Sequence, residues 1–135
     1  MVYRLAARGS GTLGVSKRWP ILPLLEERFA VYAMDRRGRG DSGDGPDYSL
    51  AREAEDIVAL ASAIGGAVSV LGHSFGALCA LEAALLLPNL SHLILYEPAL
   101  SGAPSDAIAR LEALLDAGER EAVVLALFRE IVEMP

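Results

Sequence analysis

One cysteine, two histidines and few aromatic side chains (one tryptophan, four tyrosines, three phenylalanines) put several kinds of protein out of reach for this 135-residue chain. A lone thiol, Cys79, rules out a disulfide framework and a multi-cysteine zinc site. Basic residues are the minority, 12 Lys and Arg to 18 Asp and Glu, and a net charge of −6 argues against general binding to a phosphate backbone. No apolar run reaches the roughly 18 residues that a membrane-spanning helix needs. Met1-Val2-Tyr3-Arg4 also lacks the charged-then-apolar order of a secretory leader. What is present is 53% hydrophobic and 22% charged, with mean hydropathy +0.35, so the chain has the apolar material of a folded domain. The expectation is a cytoplasmic domain with no metal, no cofactor, and neither nucleic acid nor membrane as partner.

The apolar pattern alternates between strand and helix periods. Val2 to Arg8 is a thin strand interrupted by arginines, and Gly9-Ser10-Gly11-Thr12-Leu13-Gly14 is a glycine-rich loop. Trp19 to Phe29 reads as a short helix with Pro20 and Pro23 in its first turn. Ala30-Val31-Tyr32-Ala33-Met34 and Ala67-Val68-Ser69-Val70-Leu71 are continuous apolar runs of strand length, the mark of strands covered on both faces. Leu93-Ile94-Leu95-Tyr96 is a third. Between the first two, four glycines and several charges make Arg36 to Tyr48 a long loop. Ser49 then caps a helix with Leu50, Ala54, Ile57, Val58, Ala61 and Ile64 on one stripe, and Gly65-Gly66 ends it. An Ala/Leu-rich helix follows Gly76 and closes at Pro88. Ser105 caps another, and a last one carries Val123, Val124, Leu127, Phe128, Ile131 and Val132, a stripe suited to packing on a core or on a missing lid partner. Strands alternating with helices at this spacing predict an α/β fold, a mainly parallel sheet flanked by helices.

Gly72-His73-Ser74-Phe75-Gly76 carries the strongest chemical signal. It stands between an apolar strand and a helix, the context of a nucleophile elbow. There a sharp turn lifts a serine hydroxyl above the sheet, and flanking glycines avoid clashes between strand and helix. The amide N–H after the serine, that of Phe75, points where an oxyanion would develop, and the helix start adds a favourable dipole.

With these residues in order, the sequence resembles the α/β-hydrolase superfamily, in its esterase-, lactonase- and haloperoxidase-like members. The resemblance runs from about Gly11 to Leu100. It rests on Trp19, Leu22-Pro23-Leu24-Leu25, the run Phe29–Met34 with Asp35-Arg36-Arg37-Gly38-Arg39-Gly40-Asp41-Ser42, the Ser74 elbow, and Leu93–Pro98. It implies Ser74 as nucleophile for ester or lactone hydrolysis of a small-molecule substrate, with the Phe75 N–H as one oxyanion donor. Where the family usually has His-Gly, this chain has Ser10-Gly11-Thr12, so the Thr12 N–H takes the second donor's place. Residues 1–102 then correspond to the amino-terminal part of the hydrolase core and 103–135 to the helical start of a lid.

A serine needs a base, and the base an orienting acid. The resemblance implies a histidine and an acid at positions beyond Pro135, so the expectation is a truncated fold, inactive or weakly active alone, completed by a second chain or self-associating through an unpaired strand edge. Neither histidine present replaces the base. His73 adjoins Ser74 and its side chain leaves the turn in another direction, while His92 stands ahead of its strand, roughly 13–17 Å from the carboxyl edge. Glu97 ends the last strand beside the elbow, where some relatives take their acid; its plainer reading is a loop carboxylate.

Two alternatives stand beside the hydrolase. One is a binding module of the same fold without turnover. The other is an NADP-binding, Rossmann-type oxidoreductase fragment, because Gly9-x-Gly11-x-x-Gly14 matches a dinucleotide fingerprint. Asp35 lies 21 residues beyond it as a ribose-binding acid, with Arg36 and Arg37 for a 2′-phosphate. Pro20 and Pro23 delay the crossover helix that reading needs, Arg8 ends the preceding strand poorly, and the elbow goes unexplained. Arg36, Arg37 and Arg39, which lie in one loop of an acidic chain, are read as a solvated turn with one arginine bonding local backbone rather than as a nucleic-acid contact, and Cys79 as a buried small hydrophobe.

Overall fold

The computed structural model describes residues 21–100, 102 and 104–131, together with the backbone of residues 2–7; for residue 131 too only the backbone is described. The chain divides into two compact units, residues 1–100 and 101–135.

The first unit is a four-stranded sheet with helices. In chain order it contains β1 (Val2–Ala7), α1 (Leu22–Glu26), β2 (Phe29–Met34), α2 (Leu50–Ile64), β3 (Val68–His73), α3 (Phe75–Ala84) and β4 (Leu90–Tyr96). The strand order is β2-β1-β3-β4. β3 and β4 are parallel, with Ser69 opposite His92 and His73 opposite Tyr96. β2, β3 and β4 all run the same way, which is the expected parallel frame. β1 lies between β2 and β3 but runs against both: Val2 faces Met34 on one side and Gly72 on the other, and Leu5 faces Val31 and Ser69. Antiparallel ladders are slightly the stronger kind, and a strand inserted this way satisfies both flanking edges. Its last residue, Ala7, is therefore opposite Phe29, at the sheet edge remote from Ser74.

Each boundary has a local cause. Ser49 caps α2 by accepting a hydrogen bond from the Arg52 N–H at 3.2 Å. Gly65, at φ 69°, ends the helix in a conformation costly for residues with a side chain. The expected helix through Phe29 stops at Glu26, because Phe29 already pairs with Ala7 as the first residue of β2. β4 begins at Leu90 rather than Leu93, so His92 lies within the strand and not ahead of it.

The core forms on both faces of the sheet, as strands apolar on both sides require. One cluster joins Ala54, Ile57 and Ala61 of α2 to Val68 and Val70 of β3 and to Cys79, Ala80 and Ala83 of α3. On the other face, Val31, Ala33 and Leu71 meet Leu22 of α1. Adjacent residues Val70 and Leu71 thus serve opposite faces, following the two-residue period of a strand.

The second unit contains α4 (Ser105–Asp116), α5 (Arg120–Ala126) and a π-helical turn over Leu127–Ile131. Ser105 is the first helical residue, not the cap; Pro104 holds the cap position with no side-chain bond. The expected buried stripe is also revised: Val124 and Phe128 are exposed and Ala126 is buried. The π-turn adds a residue to the helical repeat from Leu127 onward, so Phe128 leaves the face that a 3.6-residue stripe gives it, while Val124 is already exposed on α5 ahead of the turn. An Arg110–Glu130 ion pair at 3.0 Å ties α4 to this turn.

Ile57 is 4% exposed at the centre of the larger cluster. Ile57→Ala should cost about 2–4 kcal/mol of unfolding free energy, measured as a lower urea midpoint with unchanged slope.

Candidate active site

Ser74 joins the last residue of β3 to the first of α3 with no intervening loop. Its backbone, φ 54° and ψ −126°, lies in a region that residues with a Cβ rarely occupy. Neighbours hold it there. The Ser74 N–H donates to the Tyr96 carbonyl of β4 at 3.0 Å, and the Ser74 carbonyl accepts from the Ala77 N–H at 2.9 Å. A Cβ on Gly72 would stand 2.5 Å from the Gly76 carbonyl oxygen and 2.6 Å from Ala77 Cα, so only glycine lets α3 descend onto the strand. Ser74 is exposed, while Gly72, Gly76 and Ala77 are buried. The N–H of Phe75, in the first turn of α3, has no intrahelical acceptor and sits at the positive end of the helix dipole. A strained, solvent-facing hydroxyl beside such a donor is suited to attack on a carbonyl.

The other candidates are placed as follows. Glu97, also at positive φ (46°), directly follows β4, and its carboxylate oxygen lies 3.8 Å from His73 Nε2. The His73 ring packs on Tyr96 with centroids 5.2 Å apart, which turns this histidine toward β4. His92 is exposed, and its Nδ1 lies 3.3 Å from the hydroxyls of Ser69 and Ser91. The register puts it four pairs back from His73–Tyr96, about 13 Å along the sheet. Thr12, Gly9, Gly11 and Gly14 lie outside the described residues. Cys79 is fully buried, and burial pushes its thiol above the ordinary range, as fits a core residue.

The arginines of the turn after β2 are the main departure from expectation. Arg39 is exposed and donates to the Arg37 carbonyl at 3.2 Å, as a solvated turn would have it, but Arg36 and Arg37 are turned inward. Arg36 donates from Nε and an Nη to both carboxylate oxygens of Glu53, at 2.7 and 2.6 Å, and Glu53 is the one buried charged residue among those described. Arg37 makes a similar two-point contact with Asp56 at 2.8 and 2.9 Å and also reaches the Asp47 carbonyl. These bonds raise both guanidinium pKa values above normal. The Arg36 guanidinium also lies over the Phe75 ring, 4.4 Å from its centroid. Glu53 and Asp56 stand three apart on α2, a pairing legible only as two acids near the inner side of an amphipathic helix. Asp35 meanwhile folds into its own turn: its carboxylate accepts from the Asp41 N–H, its carbonyl accepts from the Ser42 hydroxyl, and Gly40 packs against it. With Asp35, Arg36 and Arg37 all engaged internally, the dinucleotide reading loses its ribose and 2′-phosphate groups. A cleft of about 390 Å³ lies along this turn, lined by Met34, Asp35, Arg37, Ser42 to Gly45, Asp56 and Ala59, and Ser74 is not on its wall.

A mixed sheet whose β2, β3 and β4 run the same way, flanked by helices, with an exposed serine in a strand-to-helix elbow, defines an α/β fold of the hydrolase type. The model of the α/β hydrolase family matches residues 8–134, and the chain belongs to that family. The chain is 44% identical over 78 residues to an N-formylmaleamate deformylase of Pseudomonas putida, a match covering 55% of this chain and 29% of that protein. It is 37% identical over 83 residues to an Escherichia coli protein named "Putative carbamate hydrolase RutD", covering 58% of this chain and 31% of the other. A crystal structure of an α/β hydrolase from Sphaerobacter thermophilus superposes with a TM-score of 0.71 at 35% identity, covering 99% of this chain and 58% of that one. The chain thus spans about three-tenths of the length of the curated relatives it matches. Among the described residues no helix is long and apolar enough to cross a membrane.

Gly72→Ala should destabilise the protein by about 2 kcal/mol or more, since the obstructing atoms are backbone and not flexible side-chain ends. Urea unfolding followed by circular dichroism checks it; a midpoint equal to that of the unsubstituted chain would contradict the close approach.

Proposed function

We propose that this chain carries the nucleophile and oxyanion donor of a serine acyl hydrolase acting on small ester- or lactone-like substrates. The observation that supports this most is the strained, exposed Ser74 followed by the Phe75 N–H. Ser74 Oγ attacks the substrate carbonyl carbon while a base takes its proton. The oxyanion is held by the Phe75 N–H, with the Thr12 N–H as the proposed second donor. Collapse breaks the bond to the leaving oxygen, to which the base hands its proton, and leaves acyl-Ser74; water, deprotonated by the same base, then cleaves it and restores the serine hydroxyl. The names of the two relatives, a deformylase and a carbamate hydrolase, also denote reaction at an acyl carbon.

The base is the limiting part. His73 is turned toward Tyr96 and Glu97, and His92 is at the far end of β4. Glu97 remains the candidate acid, beside the elbow; the histidine it meets, His73 at 3.8 Å, is the one turned toward Tyr96. The 135-residue chain alone should therefore hydrolyse p-nitrophenyl acetate only in trace amounts above Ser74→Ala. Supplied with imidazole as an external base, it should acquire one acetyl group, located by mass spectrometry on Ser74. Acetylation elsewhere, unaffected by Ser74→Ala, would overturn the nucleophile assignment. Turnover at a full hydrolase's rate without imidazole would overturn the missing base.

The partners follow from the same frame: a small ester-like molecule at Ser74, and a second chain or a second copy along β4. That strand is outermost in the sheet, with Ile94 and Tyr96 exposed, and an apolar edge of this kind invites pairing. Light scattering should give a mass of at least a dimer; a monodisperse monomer would count against self-association.

A further inference from the structure

We propose that Arg36 is a positioning residue for the Ser74 site, acting through the ring of Phe75. The proposal rests on the acyl-transfer reading above and adds to it a residue with no direct contact to the nucleophile. Three observations carry it. Glu53 is 3% exposed on α2 and accepts from Arg36 at two points, which fixes the guanidinium plane. That guanidinium lies 4.4 Å from the centroid of the Phe75 ring. Phe75 directly follows the strained Ser74, and the reading above gives its N–H to the oxyanion.

The Phe75 ring is partly exposed, at 41%, so the hydrophobic core alone does not hold it. The stacked cation supplies the missing restraint on one face. The side chain and the N–H of Phe75 share one Cα, so a held ring opposes backbone shifts that would carry this Cα, and the amide with it, out of place. A hydrogen bond to a developing charge is worth most when its donor is already in place. Glu53 neutralises most of the Arg36 charge, so Arg36 contributes orientation more than field. Arginine is needed for this, since lysine offers neither a plane to stack nor two fixed donors for the carboxylate.

The test measures the rate of acetylation at Ser74 by p-nitrophenyl acetate in imidazole, across ester concentrations, for the full chain and for Arg36→Gln, Arg36→Lys, Phe75→Leu and Phe75→Leu/Arg36→Gln. Arg36→Gln should lower the limiting rate about tenfold with little change in the half-saturating ester concentration. Phe75→Leu keeps the amide and the ion pair but removes the ring, and should lower it similarly. In the Phe75→Leu background, adding Arg36→Gln should change the rate less than twofold, because the path from Arg36 is already cut. Arg36→Lys should not restore the rate. A merely structural role would give effects that multiply in the double variant, or a loss that tracks the folded fraction in urea; either overturns the proposal. So does an unchanged rate in Arg36→Gln or, if that variant does not fold, in Phe75→Leu. Absence of acetyl-Ser74 in the unsubstituted chain would instead remove the acyl-transfer reading, and this proposal with it.

Discussion

The approach of α3 to the end of β3 at Gly72 is the constraint on which the site depends. A backbone carbonyl and a Cα occupy the space that any side chain at position 72 would need. Because the helix comes so close, no loop residues separate strand from helix, and the reversal falls on Ser74 alone. Its unfavourable backbone angles are the result. Such strain costs on the order of 1–3 kcal/mol and persists only where the surroundings over-determine it. Here they do. The N–H of Ser74 is fixed by β4, its carbonyl by α3, and buried Ala77, Cys79, Ala80 and Ala83 seat the helix against the sheet.

A second set of contacts holds the turn after β2 against the elbow. The Arg36–Glu53 bond is largely out of water, and such pairs seldom add much net stability, because desolvation offsets the attraction. Loss of one partner would still be costly, leaving the other buried and uncompensated. The pair therefore specifies an arrangement more than it strengthens one. It joins α2, the turn and the ring of Phe75 in one linked group, while Arg37 and Asp56 pin the same turn one helical step further along.

What could be seen in the sequence follows from the range of each interaction. Short-range rules suffice for the cap at Ser49, the stop at Gly65 and the elbow at Gly72–Gly76, since glycine, serine and apolar runs act within a few residues. The burial of Cys79 is similarly local, one turn into an Ala/Leu-rich helix. The direction of β1 was not legible, because pairing on both sides depends on strands far along the chain and either sense fills the gap. The arginine pairs escaped for a related reason. Arg36 and Glu53 are 17 positions apart, and nothing in a charged, glycine-rich turn announces that its arginines point inward. Two acids three apart on α2, Glu53 and Asp56, were the available hint.

The sheet also explains why His92 stands away from Ser74. Since β3 and β4 are parallel and pair without a shift from Ser69–His92 to His73–Tyr96, every position over that stretch of β4 has a fixed depth relative to Ser74. Tyr96 is level with His73, and only the residues that follow β4 stand at the height of the hydroxyl. Glu97 does, and it is a carboxylate; His92 is level with Ser69 and faces the opposite edge. Moving His92 to the site would require sliding β4 by four residues, an even shift that keeps the side-chain faces but breaks the ladder and the Ser74–Tyr96 bond. The bond that holds Ser74 in its strained turn thus also fixes His92 at the far end of the sheet.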